Sequence, residues 1–285
     1  MLLRLLLLMA VFAAAPAYGR VSIVAAENFY GDVAGQIAGP DADVTSILSS
    51  PDQDPHLFEA SPSVARSLAG AQLVIYNGVD YDPWMAKLLK AGRVPGRVVL
   101  VAADVLKRKP GTNPHLWYDP TAMPAVAAAI AAALTRIDPA HADGFAARLQ
   151  VFKASLAPLD ARIAALRGRV SGRVVGATEP VFGYMATALG LVMRHDRFQI
   201  AVMNGTEPRP SDVAAFEADL RGKRLVVLFY NSQATGPAAQ RLLTLARQSG
   251  IAVVGVTETQ PAGVNYQAWM MGALDALETA MPASR

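Results

Sequence analysis

The sequence predicts an α/β protein with two lobes, each a mainly parallel sheet flanked by helices, joined by one long rigid helix. Its 285 residues, 53% of them apolar, are enough to bury a large core in two lobes. Short apolar runs alternate with helical stretches in both halves, which is typical of parallel sheets with crossover helices. The middle of the chain is rich in alanine, leucine and arginine and has no strand pattern.

Runs of β-branched or apolar residues predict the strands, four in each half. They are Val21 to Ala25, Val44 to Leu48, Leu73 to Asn77, Val98 to Ala102, Arg173 to Thr178, Leu191 to His195, Leu225 to Tyr230 and Ala252 to Val256. Helical segments lie between them, among them Ser61 to Ala69, Pro83 to Leu89, Ser211 to Leu220 and Pro237 to Gln248.

A long helix is predicted over residues 138–168. Asp138 followed by Pro139 is a good helix start, because a capping carboxylate then precedes a first-turn proline. About 30 residues give a helix of about 45 Å, long enough to run along both lobes. Pro158 should kink it or mark a boundary within it. The lobes are then residues 20–137 and 169–285, and a stiff connection argues against wide hinge closure.

The N-terminus predicts export. Arg4 precedes an apolar run from Leu5 to Ala15, and small residues follow, so residues 1–19 are interpreted as a cleaved signal peptide. The run is too short to span a bilayer comfortably, and no later segment resembles a membrane span. The chain has no cysteine, which excludes disulfides, thiolate ligands and a lipid-modified cysteine. We therefore expect a periplasmic protein without membrane insertion.

The net charge of +3 does not predict nucleic-acid binding. Lysines and arginines are scattered along the chain, and the cluster Lys107 to Lys109 has no interleaved aromatic residues. A solvated surface loop is the better interpretation of that cluster.

Two of the four histidines stand in matching contexts. His56 lies in Asp54-Pro55-His56-Leu57 and His115 in Asn113-Pro114-His115-Leu116. The preceding proline stiffens each turn, and a neutral imidazole is the commonest metal ligand. Both histidines follow strands, where open α/β sheets place their ligands. A metal site is one interpretation, and two structural or solvated histidines are the other.

Glu179 and Glu258 are the corresponding candidates in the second half. Each stands after the end of a predicted strand, opposite the first lobe if the two sheets face one another. Either one alone is also explained as a charge near a helix N-terminus. Together with two neutral imidazoles, however, two carboxylates balance a divalent cation and leave a buried site formally neutral. Four such ligands make a closed shell, which favours carrying a metal over catalysis with one.

Several longer segments resemble the periplasmic substrate-binding proteins of zinc and manganese ABC importers, and the resemblance extends over essentially the whole mature chain. The segments that carry it are VSIVAAENFYGDVAG, DPHLFEASPSVARSLAGAQLVIYNGVDYDPWM, NPHLWYDP, ATEPVFGYMATALGL and VTETQPAGVNYQAWM.

The resemblance implies two lobes, one long helix and one metal ion between the lobes. Carried over residue by residue, it implies the ligands His56, His115, Glu179 and Glu258, although the last position is usually aspartate. It also implies delivery to an ABC permease with its ATPase. We expect a monomer.

The ion is predicted to be Zn²⁺ or Mn²⁺. Imidazole suits zinc and iron, carboxylate oxygens suit manganese, and zinc has the higher intrinsic affinity. The stretch 104–112 is short and basic, whereas zinc-specific relatives often carry a long loop rich in histidine and acids there. This absence weakens the case for zinc, so we expect zinc only slightly more than manganese. Polar residues that could orient the ligands are Asp54, Glu59, Asn113, Asp119, Asn231 and Gln233.

Two alternative functions differ in class. A secreted metallohydrolase would need an open metal position and a general base, yet the sequence has no HExxH or GxSxG motif and no thiol nucleophile. A binder of a larger chelate, such as a siderophore or cobalamin, would present arginines and aromatic residues in its cleft.

Overall fold

The structure is a computed structural model that describes residues 19–50, 58, 61–234 and 236–281. The predicted signal peptide lies outside the described residues except for Gly19, and the predicted ligand His56 lies outside them as well. Within these ranges, no helix combines the length and apolar character needed to cross a membrane.

The first half of the described chain contains a four-stranded parallel sheet. Its strands are β1 (Val21–Glu27), β2 (Ala42–Leu48), β3 (Leu73–Tyr76) and β4 (Val98–Val101). The order across the sheet is β2-β1-β3-β4, and Ile23 of β1 stands opposite Val44 and Leu73. All four strands lie where the apolar runs predict them.

Helices connect these strands and cover the sheet. They are α1 (Asn28–Ala38), α2 (Pro62–Gly70), α3 (Pro83–Ala91), α4 (Ala102–Val105) and α5 (Ala122–Ile137). Helix α1 buries Phe29, Val33 and Ile37, which recur at the three- to four-residue spacing of one helix face. This face packs into the core of the first half.

The predicted linking helix is present as two consecutive helices, α6 (Ala142–Ser155) and α7 (Ala157–Val170). They meet at Leu156, and Pro158 lies in the first turn of α7, where proline is tolerated. The prediction of a boundary at Pro158 is confirmed. Leu156 itself keeps right-handed helical backbone angles.

The predicted cap at Asp138 is wrong. Its carboxylate does not cap the helix; instead Oδ2 lies 2.6 Å from Nδ1 of His141, and residues Pro139–His141 form one 3-10 turn before α6 begins. An imidazole three residues along competes with the backbone N–H groups for this carboxylate.

Each half of the linker is tied to a different lobe. In α6, Arg148 donates from Nε to the carbonyl oxygen of Ile37 at the end of α1, at 2.7 Å. In α7, Arg162 donates to Asp275 at 2.7 Å. The linker therefore belongs to the packed body of both lobes along its length.

The second half repeats the first topology. Its strands are β5 (Val174–Ala177), β6 (Val192–Arg194), β7 (Val227–Asn231) and β8 (Ala252–Val256). They pair in parallel in the order β6-β5-β7-β8, so β5 corresponds to β1 and β7 to β3. Its helices are α8 (Gly183–Ala188), α9 (Asp196–Met203), α10 (Pro210–Arg221), α11 (Pro237–Gln248) and α12 (Tyr266–Ala280).

One hydrophobic core runs through both halves. It joins side chains of β1 and α5 to side chains of β7 and α12. At the boundary, the ring centroids of Phe29 and Tyr118 lie 5.8 Å and 5.6 Å from that of Trp269. Aromatic side chains of the two halves are therefore in direct contact at this boundary.

Candidate metal centre

His115 lies in the loop between α4 and α5, and Asn113 fixes its ring. Asn113 donates from Nδ2 to the carbonyl oxygen of Pro180 at 2.7 Å, so its Oδ1 faces the imidazole. That oxygen lies 2.7 Å from His115 Nδ1 and accepts the His115 backbone N–H at 3.1 Å. Nδ1 therefore carries the ring proton, and Nε2 keeps the lone pair that a metal ligand needs.

The His115 ring is fully buried between aromatic side chains. Its centroid lies 5.3 Å from Trp117 and 6.0 Å from Tyr81, both in edge-on contact. Nε2 has no hydrogen-bond partner among the described residues. Buried polar atoms are normally paired, so a buried nitrogen with a lone pair of this kind suits a cation site.

Glu179 and Glu258 lie at the carboxyl ends of β5 and β8, where the sequence predicts them, and are 5% and 1% exposed. Asn231, the last residue of β7, lies between them. Its Nδ2 donates to Glu179 Oε2 at 2.6 Å and to Glu258 Oε1 at 2.5 Å. Burying two carboxylates together is unfavourable, and a donor shared by both offsets part of that cost.

The loop that carries Glu258 is held from both halves. On its own side, Gln233 Oε1 accepts the backbone N–H of Glu258 at 2.6 Å and that of Thr259 at 3.2 Å. From the first half, Asn28 donates to the carbonyl oxygen of Gln260 at 2.7 Å and accepts its N–H at 3.0 Å. The position of Glu258 is therefore tied to the first sheet as well as the second.

The predicted ligands converge in part. His115 Nε2 and Glu258 Oε2 lie 3.6 Å apart across the boundary between the halves. Glu179 is linked to Glu258 through Asn231. His56 is outside the described residues, and within those residues no group of three His, Cys, Asp or Glu side chains is close enough to hold a metal ion. The four-ligand set therefore stays a prediction.

Three of the predicted orienting residues contact the candidate ligands, namely Asn113, Asn231 and Gln233. Asp119 does not, because it accepts from the guanidinium of Arg108 and from Thr121. Asp54 and Glu59 lie outside the described residues. Of the other two histidines, His141 is paired with Asp138 and His195 with Asp219, away from the candidate centre.

An acidic pair that the sequence did not predict lies at the edge of the first sheet. Glu27, the last residue of β1, is fully buried and interacts with Asp82. Burial raises the pKa of Glu27 well above its ordinary value, and the Asp82 carboxyl adds to that shift. Burial also raises the pKa of Asp82 to about 6. Glu27 stands at a strand end, as Glu179 does, and this position could have identified it as a candidate functional residue from the sequence.

Tyr81 lies between this pair and the candidate centre. Burial raises the pKa of its hydroxyl well above the ordinary value, and the nearby carboxylates of Glu258 and Glu27 raise it further. The tyrosine therefore stays protonated and can donate toward the acidic groups on either side of it.

A family model described as ZnuA, zinc-uptake complex component A, periplasmic, matches residues 23–280. The chain belongs to this family. Membership in the ZnuA family confirms the resemblance noted from the sequence.

Among solved structures, the chain is similar to the periplasmic zinc-binding protein TroA from Treponema pallidum. The TM-score is 0.78 at 21% identity, over 92% of this chain and 99% of that one. It is also similar to a cadmium-bound periplasmic metal-binding protein from Candidatus Liberibacter asiaticus, with a TM-score of 0.71 at 20% identity, over 92% of this chain and 100% of that one. These likenesses confirm the predicted fold class.

Curated relatives of this ZnuA-family chain are named for different ions. The iron-binding protein YfeA of Yersinia pestis is 27% identical over 60% of this chain, and the match spans only 57% of YfeA. The zinc-binding protein TroA is 24% identical over 76% of this chain and 72% of its own. The manganese ABC transporter substrate-binding lipoprotein PsaA of Streptococcus pneumoniae is 23% identical over 75% of this chain and 72% of PsaA. Family membership therefore leaves the choice of ion to the residues of the site.

Proposed function

We propose that the protein captures one divalent transition metal ion, Zn²⁺ or Mn²⁺, between its lobes and delivers it to an ABC-type importer. The proposed ligands are His56, His115, Glu179 and Glu258. The observation that supports this best is the approach of His115 Nε2 to Glu258 Oε2, at 3.6 Å, from opposite halves of the molecule. A cation between them would satisfy a buried nitrogen and offset a buried carboxylate.

The proposed ligand set favours binding over catalysis. Two neutral imidazoles and two carboxylates carry a formal charge of about −2, which matches one divalent ion. A catalytic zinc usually keeps an open position for water, whereas four protein ligands close the shell. We therefore propose that the protein is not an enzyme.

The proposed partner is a membrane permease with a cytoplasmic ATPase, which would supply the energy of transport. The names of relatives such as PsaA, an ABC transporter substrate-binding lipoprotein, support this partner. We further propose that the protein is a periplasmic monomer, released after cleavage of residues 1–19, and that it neither inserts into the membrane nor binds nucleic acid.

Elemental analysis of protein purified from its own periplasm tests the central proposal. We expect one ion per chain, competition between zinc and manganese for one site, and no hydrolytic turnover. Turnover that depends on the ion would favour the metallohydrolase alternative. Tighter binding of an iron–siderophore complex than of either free ion would favour a chelate binder.

Acidity should weaken binding. A histidine must lose its proton to coordinate a metal, and imidazoles in reference peptides protonate near about pH 6.5. Titration calorimetry should show lower affinity at about pH 5.5 than at about pH 7.5. Equal affinity at both values would argue against histidine ligation.

A further inference from the structure

We propose that Gly183 and Tyr184, at the start of α8 in the second half, position His115 for metal binding, an inference that rests on the proposed function. Both residues act through Asn113, whose side-chain amide faces Nδ1 of the imidazole. That amide decides which ring nitrogen carries the proton. The second half of the molecule thereby prepares a ligand that the first half contributes.

The amide of Asn113 has only one favourable orientation. Its Nδ2 donates to the carbonyl oxygen of Pro180 at 2.7 Å, while its Oδ1 lies 2.7 Å from His115 Nδ1 and accepts the His115 backbone N–H at 3.1 Å. A reversed amide would place two oxygens together at Pro180 and two N–H groups together at His115. It would also face Nδ1 with a donor and so move the ring proton to Nε2, the nitrogen proposed to bind the metal.

Tyr184 holds the backbone of Asn113. Its hydroxyl donates to the Asn113 carbonyl oxygen at 2.8 Å, and it also interacts with the side chain of Thr112. The guanidinium carbon of Arg108 lies over the Tyr184 ring, 5.1 Å from its centroid. Phenylalanine at this position would keep the ring and its contact with Arg108, so the hydroxyl alone can be removed.

Gly183 leaves the space that the Asn113 amide occupies. A Cβ atom at this position would lie 2.9 Å from Asn113 Nδ2, too close for the amide to stay where it is. The backbone of Gly183 has φ −58° and ψ −43°, right-handed helical angles that alanine adopts readily. The neighbouring amide, and not the backbone conformation, therefore accounts for glycine here.

Gly183→Ala tests the inference, because the added methyl group displaces the Asn113 amide without straining the backbone of α8. In the metal-free protein, NMR spectra of isotope-labelled imidazole nitrogens distinguish a protonated Nδ1 from a protonated Nε2. The His115 signals are assigned by their loss in His115→Ala. We expect wild type to hold the proton on Nδ1 and Gly183→Ala to populate the form protonated at Nε2 as well.

Zinc affinity gives the second readout, measured by competition with a chromophoric chelator. It should fall by about tenfold in Gly183→Ala, at the lower end of effects for residues that orient metal ligands. Tyr184→Phe should lower it by about threefold, because the loss of one hydrogen bond loosens Asn113 without displacing it. Gly272→Ala, in helix α12, is the matched control, since a Cβ there would meet no atom of the described residues within 4 Å. It should match wild type in both measurements.

Two results would overturn the role of the α8 start while leaving metal capture intact. One is a His115 proton that stays entirely on Nδ1 in Gly183→Ala, and the other is equal zinc affinity in Gly183→Ala and Gly272→Ala. If Gly183→Ala does not fold, Tyr184→Phe decides, and a spectrum and affinity equal to those of wild type would overturn the inference. Failure of wild type to bind zinc would instead overturn the proposed function, and the metal-free spectra keep the two failures distinguishable.

Discussion

The two sheets share one strand order but treat the acidic residues at their carboxyl edges differently. In the first half, Glu27 ends β1 and interacts with Asp82. In the second half, Glu179 follows the corresponding strand, β5, and shares the amide of Asn231 with Glu258. Both pairs are buried, so each must offset the cost of negative charge away from water.

The two acidic pairs differ in how the cost of burying their carboxyl groups is reduced. Burial and the neighbouring carboxyl raise the pKa of Glu27 and so favour its uncharged form, while Asp82 accepts the backbone N–H groups of Asn77 at 2.6 Å and Gly78 at 2.8 Å. At the other edge, the side-chain amide of Asn231 donates hydrogen bonds to both carboxylates. The two strand-end acids therefore differ in their surroundings, because Glu179 accepts from a side-chain amide whereas Glu27 lies beside a second carboxyl.

The largest expected effect comes from the histidines. His115→Ala and His56→Ala should each lower zinc affinity by at least about 100-fold, because even residues that only orient ligands typically contribute 10–100-fold. Affinity is measured by chelator competition and secondary structure by far-UV circular dichroism, which should stay unchanged. His141→Ala is the control, since His141 lies at the start of the linker. If His115→Ala or His56→Ala lost folded structure to the same extent as affinity, the histidine would be needed for packing of the core and not for metal binding.

The next effect tests the comparison between the two edges directly. Glu179→Gln should lower metal affinity by about 10–100-fold, since it removes one of two charges that face the cation. Glu27→Gln, at the corresponding strand end, should change affinity by less than about twofold, because burial and Asp82 raise the pKa of Glu27 and so favour its uncharged form in the folded protein. Similar losses in both variants, measured by titration calorimetry, would show that the two edges act together in binding.

The stability of the metal-free protein should depend on pH through the buried pair Glu27 and Asp82. A carboxyl with a raised pKa stabilises the folded state below its unfolded pKa, and this contribution is lost as the pH rises through the folded value. For Asp82, a shift from 3.8 to about 6 corresponds to about 3 kcal/mol. Urea unfolding in the presence of a chelator should give a lower free energy of unfolding at about pH 8 than at about pH 5.

Glu27→Gln sharpens that measurement. The amide resembles the protonated carboxyl, so the variant should be more stable than wild type at about pH 8 and should show a smaller difference between the two pH values. A variant with the full pH dependence of wild type would assign that dependence to other groups.

The smallest expected effect concerns Asn28, which ties the Glu258 loop to the first half. Asn28→Ala removes two hydrogen bonds to Gln260 and should lower the free energy of unfolding by about 1–3 kcal/mol. It should also speed metal dissociation, measured by stopped-flow chelation. Gln36→Ala is the matched control, because Gln36 pairs with Gln267 across the same boundary but away from Glu258. Equal dissociation rates in the two variants would contradict a specific role for Asn28.

The strands and the linker could be predicted because their signals are local. Apolar runs such as Val98 to Ala102 and the break at Pro158 need only neighbouring residues to be interpreted. The strand-end placement of Glu179 and Glu258 followed from the same pattern. These predictions depend on the spacing of apolar residues along the chain and on the conformational limits of proline, both of which act within a few residues.

The chemistry around those ends could not be predicted in the same way. Whether Glu27 meets Asp82 depends on how β1 and α3 pack, and whether Asn231 points Nδ2 or Oδ1 at the glutamates depends on the Gln233 backbone N–H. Both depend on tertiary contacts, which produce no repeating pattern in the amino-acid sequence. The sequence could therefore name Asn231 as an orienting residue but not say what it holds.

The two halves share one of the hydrophobic clusters of the described residues, and this shared cluster should make them unfold together. Since Phe29 and Tyr118 of the first half contact Trp269 of the second, neither lobe keeps a complete interior once its neighbour is removed. Calorimetric heating should give one cooperative endotherm, with no separate transition for each lobe. A gene truncated at the linker should yield a chain that cannot attain a native state.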